Sequence, residues 1–145
     1  MSLAIVTGRG PLLLTDIEGR EPYIKDEHVV HIAQRDAAET HQYGSQDIRD
    51  TAITCFDMSY IENQGIESTT ANVVTHMRSL PVDGFWIHFD TDALYDAINP
   101  AVEYRLPGGL QFEEAAYLVS RILATHTIDG MSVSIFNPGW MPMGK

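Results

Sequence analysis

Apolar residues in this chain come in short runs and in helical stripes, and the alternation of the two predicts the layout. Residues 3–6 (LAIV) read as the end of a helix, and residues 8–11 (GRGP) as a turn. The β-branched run at residues 29–33 (VVHIA) predicts a buried strand. Residues 37–50 are polar and read as a surface loop or a short helix. A second strand is expected over residues 51–58 (TAITCFDM), followed by a short helix capped by Ser59 with Glu62 and stopped by Gly65. Val73, Met77 and Leu80 recur at i, i+4 and i+7, which gives another helix ending at Pro81. Residues 85–90 (FWIHFD) make the third strand. The clearest helix lies in residues 111–126, where Phe112, Ala115, Ala116, Val119, Ile122 and Leu123 share one stripe and Gln111 pairs with Glu114 as a capping box. The IDG at residues 128–130 closes that helix, and residues 131–136 (MSVSIF) form the last strand.

Strands this apolar, alternating with helices, predict an α/β fold with a mostly parallel sheet and helices on both faces. At 145 residues the chain is expected to be a single domain, residues 1–145. In such sheets ligands bind outside the carboxyl ends of the strands. Asp90 and Asp92 stand at one of those ends, directly after the oily third strand.

Charge narrows the partners. The formal net charge is −11 and the pI about 4.7, which argues against nucleic acid and against anionic membrane surfaces. No stretch approaches the ~20 apolar residues of a membrane span. No signal peptide is read at the start, and the one cysteine, Cys55, fits a reducing compartment, so a cytoplasmic location is expected. Trp140 and residues 141–143 read as a surface facing solvent or a partner.

In an extended segment, side chains at i and i+2 share a face, so Asp90 and Asp92 are expected to point together. Two converging carboxylates repel unless a cation lies between them. Oxygen ligands favour Mg, Ca or Mn. A solvated acidic pair at a strand end, and an Asp-x-Asp phosphatase with its first aspartate as nucleophile, are the other readings of this spacing.

The longer string FDTDALYDAINPAVEYRLPGGLQFEEA resembles the last signature of the arginase/agmatinase/formimidoylglutamase superfamily, the ureohydrolases. The matching residues are Asp90, Asp92, Asp96, Pro100, Ala101, Pro107, Gly108, Gly109, Leu110 and Glu114. VVHIAQRD and SVSIFNP resemble two further strands of that family, so the likeness runs from about Val29 to Pro138. The resemblance implies a three-layer, arginase-like α/β fold, here partial, and a binuclear manganese site with two His and four Asp ligands. Asp90 would bridge the two Mn2+ ions and Asp92 would be a terminal ligand. The implied chemistry is hydrolysis of a guanidino or related C–N bond by a metal-activated hydroxide.

The departures are informative. The family's Gly-Gly-Asp-His and Asp-Ala-His-x-Asp motifs are not found in these residues, so four of the six implied ligands are missing. His88 shares a face with Asp90 and reads as a neighbour of the site. Arg35 reads as a buried salt-bridge residue, and Trp86 as packing beneath the site. Ile135 stands where the family carries a substrate-binding Glu. The expectation is therefore the C-terminal part of a manganese-dependent ureohydrolase-like enzyme, inactive as this isolated chain. The other reading is a non-catalytic, self-associating module. Homo-oligomerisation and a small guanidino-type substrate in the full-length protein are the expected partners.

Overall fold

The computed structural model describes residues 2–140, so the expected tail surface at residues 141–143 lies outside the described residues. Its elements run α1 (Ser2–Val6), α2 (Leu12–Thr15), β1 (Val30–Ile32), α3 (Ala37–Gln42), β2 (Thr54–Phe56), α4 (Met58–Gln64), α5 (Ile66–Ser79), β3 (Phe85–Asp90), α6 (Phe112–Leu123) and β4 (Ile128–Ser134), with short 3-10 turns between them. The strands form two parallel ribbons. β1 pairs with β2, placing His31 opposite Cys55, and β3 pairs with β4, placing His88 opposite Ser132 and Asp90 opposite Ser134. Among the described residues no ladder joins one ribbon to the other. Parallel pairing requires long crossovers. Here α3 crosses from β1 to β2, and α6 crosses from β3 to β4. The parallel α/β architecture expected from the pattern is what the chain adopts.

The ribbons are joined through one apolar core. Val73 and Met77 of α5, Ile61 of α4, and Ala115, Leu118 and Ile122 of α6 are buried against Ala33, Phe56 and Leu110. Val30 and Ile32 of the first ribbon pack on that cluster, and so do Ile87 and Phe89 of the second. Burying side chains of this size stabilises the fold by roughly 1.5–3 kcal/mol each.

Local chemistry shifted several boundaries. Asp57, not Ser59, caps α4: its backbone is extended, and its carboxylate accepts the Tyr60 N–H at 2.7 Å. Gly65 ends that helix as expected, at φ 79. The Gln111/Glu114 capping box is present on α6. The buried stripe of α6 is turned from the expected one. Leu118 is inside, while Phe112, Ala116 and Leu123 face outward because α6 covers only the edge of the core. β4 starts three residues earlier than the pattern predicts. His126 adopts a left-handed turn (φ 58) right after α6, so the IDG segment is already extended. Gly130 is needed there for space: a Cβ would lie 2.2 Å from the Trp86 ring, which lies over it.

Large apolar side chains remain uncovered. Leu13 is 90% exposed, Trp86 64% and Val133 59%. Among the described residues no helix is long and apolar enough to cross a membrane.

Candidate metal centre at a strand end

β3 ends on Asp90, whose backbone is still extended (φ −84, ψ 121), and Thr91–Ala93 then close a single 3-10 turn. Asp92 therefore sits in the turn, not on the strand, and simple strand alternation is not what relates it to Asp90. The turn is braced from both sides. Thr91 is buried, and its carbonyl accepts the Asn99 side-chain amide at 2.8 Å. The Leu110 N–H reaches the Ala93 carbonyl at 2.9 Å, and the Tyr95 N–H reaches the Leu110 carbonyl at 2.7 Å.

The two carboxylates have different surroundings. Ser134 Oγ donates to Asp90 Oδ1 from the facing strand, and His88 Nε2 lies 3.2 Å from the same oxygen. His88 Nδ1 meets Ser132 Oγ at 2.8 Å, and Trp86 Nε1 donates to that hydroxyl at 3.1 Å. This row runs along one face of β3 and β4, and it leaves Asp90 Oδ2 without a hydrogen bond among the described residues. Asp92 holds its proton more tightly than an ordinary carboxylic acid. Burial is the main cause and the charge of Asp90 the next, with Arg35 opposing. The Asp92 main-chain carbonyl accepts from Arg35 Nη2, which ties the loop after β1 to the tip of β3.

Arg35 is thus not in the expected salt bridge. The 3-10 turn presents a carbonyl to the guanidinium, and Arg35 Nε is buried without a partner. Trp86 does not pack beneath the site: it lies over Gly130, largely exposed. Asp96 and Arg105 form a two-pronged ion pair at 2.6 and 2.8 Å, which fastens the loop that follows. Reading the sequence singled out neither serine. Ser132 and Ser134 become visible only once parallel register sets them opposite His88 and Asp90. His31 lies inside β1. It is buried with Nδ1 unpartnered, and burial holds its imidazole below the usual pKa, against the pull of Asp36 and Asp90.

Among the described residues no group of three or more His, Cys, Asp or Glu side chains is placed to hold a metal ion. Asp90 and Asp92 nonetheless have the features of a partial set. They are oxygen donors in mutual electrostatic contact, one with a free oxygen and the other destabilised by its neighbour's charge, and that suits a hard divalent cation. Cys55 is a free thiol, and burial pushes its pKa up to about 11, which makes it a poor nucleophile.

The comparisons with known proteins agree on one family. The model for "Arginase family" matches residues 18–143. The chain is 33% identical over 138 residues to an arginase of Staphylococcus aureus (strain COL), covering 95% of this chain and 44% of that protein. The crystal structure of an arginase from Bacillus caldovelox superposes with a TM-score of 0.87 at 26% identity, covering 99% of this chain and 46% of that one. A formimidoylglutamase from Bacillus subtilis shares the fold at a TM-score of 0.68 and 19% identity. The chain thus spans about half the length, or less, of the arginases it matches. By the extent of the family match and the identity across nearly its whole length, the chain belongs to the arginase family.

Proposed function

We propose that this chain is the C-terminal portion of a cytoplasmic, manganese-dependent hydrolase that cleaves a guanidino or related C–N bond. Asp90 and Asp92 supply two of its metal ligands. The observation that carries this reading is the placement of both carboxylates at the carboxyl end of a parallel strand, with the proton affinity of Asp92 raised beside Asp90. When bound, a pair of divalent cations supplies a hydroxide nucleophile at neutral pH and stabilises charge that develops during attack. The chain's own residues set the ligands. Ser134 and His88 engage Oδ1 of Asp90, which leaves Oδ2 without a hydrogen bond among the described residues, and Arg35 fixes the Asp92 main chain. Asp90 would bridge the metals and Asp92 would be a terminal ligand.

Two carboxylates are too few to hold two ions against water, so the isolated chain is catalytically silent and binds Mn2+ weakly. Calorimetric titration with Mn2+ tests this. The expected result is weak binding that is lost in the Asp90→Asn/Asp92→Asn double variant. Tight stoichiometric binding would contradict an incomplete ligand set, and identical titrations of the two proteins would remove the carboxylates from the site.

The uncovered Leu13, Trp86 and Val133 favour a second reading, a non-catalytic module that associates with its own copies. Sedimentation across a concentration series separates the two, because a strictly monomeric chain is incompatible with self-association.

A further inference from the structure

A strand edge without a neighbour offers a row of free N–H and C=O groups, and proteins cover or blunt such edges. β1 and β2 are three residues long, too short to template much pairing. The free edge of β3 looks toward β1, because Arg35 after β1 reaches the Asp92 carbonyl after β3. β4 is different: it runs seven residues, Ile128–Ser134, and among the described residues it pairs with β3 alone. We propose that the free edge of β4 is a homodimer interface, where the β4 strands of two copies pair antiparallel about a two-fold axis at Ser132. The proposal deepens the self-association reading above and rests on it for the existence of a dimer.

The sequence of β4 carries none of the usual defences of an edge. It holds no proline, lysine or arginine, and its one irregularity, an extra residue at Asp129, falls at its start. From Gly130 to Ser134 the register against β3 is continuous. Charge favours the same stretch. The chain has a net charge of −11, so two copies repel, yet residues 130–144 contain no charged side chain. Two acidic copies approach with least repulsion where neither carries charge. At Ile135 the backbone turns to a positive φ of 69, which ends the strand and limits the pairing to Gly130–Ser134.

Side-chain alternation then fixes the register. Met131 pairs with Ile87 and Val133 with Phe89, so both lie on the face turned to the helices. Gly130, Ser132 and Ser134 share the opposite face with Trp86, His88 and Asp90. A two-fold axis at Ser132 sets Met131 against Val133 of the second copy, Gly130 against Ser134, and Ser132 against its own counterpart. Every pair then shares a face, and no two like charges meet. Met131 is 38% exposed and Val133 59%, so the apolar pair, formed twice, covers side chains that α6 leaves open. Five residues from each copy make a small interface, so the dimer belongs to the weak, concentration-dependent class below about 1,200 Å².

Analytical ultracentrifugation of the parent and two double variants at physiological salt tests this. The parent is expected to dimerise as concentration rises. Met131→Lys/Val133→Lys opposes lysines in both pairs and is expected to weaken the dimer at least about tenfold. Met131→Glu/Val133→Lys sets each glutamate against a lysine of the other copy and is expected to restore it. A second measurement keeps both apolar side chains. Directly opposed residues of an antiparallel pair have Cα atoms about 4.5–5.5 Å apart, within disulfide reach. Ser132→Cys in a Cys55→Ser background is therefore expected to cross-link on mild oxidation, and Asp129→Cys in the same background is not. A parent that stays monomeric throughout overturns both the edge and the self-association reading. A dimer indifferent to the first double variant, no recovery in the second, or equal cross-linking of the two cysteine variants overturns the β4 edge alone and leaves association to another surface.

Discussion

An alanine in place of Gly109 puts a methyl group 2.6 Å from the carbonyl oxygen of Leu94, 2.7 Å from its carbonyl carbon and 2.9 Å from the Ala93 oxygen. These are backbone atoms of the segment that follows Asp92, so no change of rotamer relieves the overlap. To reach ordinary contact the loop must retreat by about 0.8 Å, which strains a close-packed interior. The bonds from the Leu110 N–H to Ala93 and from the Tyr95 N–H to Leu110 lengthen with it. Overpacking of this kind costs about 1–3 kcal/mol, and a weakened hydrogen bond about 1 kcal/mol more. The φ of +111 adds about 1–3 kcal/mol for any residue with a Cβ. Gly108 supplies the control. Its φ is +82, but nothing lies within 4 Å of a Cβ built there, so Gly108→Ala carries only the backbone penalty. Urea denaturation of the two variants should separate them by at least ~2 kcal/mol, with Gly109→Ala the weaker. Equal midpoints would show that close approach of the glycine loop does not hold the Asp92 turn in place.

Further outcomes follow from the same geometry. Asp92 binds its proton more tightly when folded, so its ionisation opposes folding, and that penalty grows as pH rises through its unfolded and folded pKa values. In chelator, Asp92→Asn is therefore expected to raise the urea midpoint at pH 7, and the gain should vanish below about pH 4; a loss at pH 7 would contradict the repulsion. Asp26 behaves in the opposite way, because hydrogen bonding to Arg9 holds its pKa down. Its contribution is present above the unfolded pKa and is lost as pH falls through the folded one. Arg9→Gln is expected to cost about 1 kcal/mol near neutrality, with the two stability curves starting to converge near about pH 4 and meeting only once pH has fallen through the lowered folded pKa of Asp26. Leu118→Ala should cost about 3 kcal/mol through a core cavity. Leu123→Ala, on the exposed side of the same helix, should stay within about 0.5 kcal/mol; similar losses in thermal melts would mean that α6 packs on its other face.

Much of this architecture was legible because its signals are local. The third strand ran over residues 85–90 as the apolar run predicts, and the capping box at Gln111 and Glu114 formed because its parts lie three residues apart. The strand-end position of Asp90 was legible from the apolar run before it, whereas the i, i+2 spacing did not foretell that Asp92 sits in a 3-10 turn. The failures are at points that distant contacts decide. Gly130 looked like a helix stop, but its role is to leave room for an indole from a neighbouring strand. Arg35 looked like half of an ion pair, and its partner proved to be a carbonyl 57 positions away. Ser134 carried no motif, and it reaches Asp90 only through strand register. Neither spacing nor periodicity reports which residues meet across a sheet.

The division of the strands into two ribbons has a mechanical consequence. Side-chain packing through α4, α5 and α6, the Arg35 bond to the Asp92 carbonyl and the Tyr104 bond to Glu39 span the seam, and among the described residues no backbone ladder crosses it. A rim whose acids ride on one plank and whose arginine clasp is bolted to the other will register any parting of the planks, even when every strand in each stays paired.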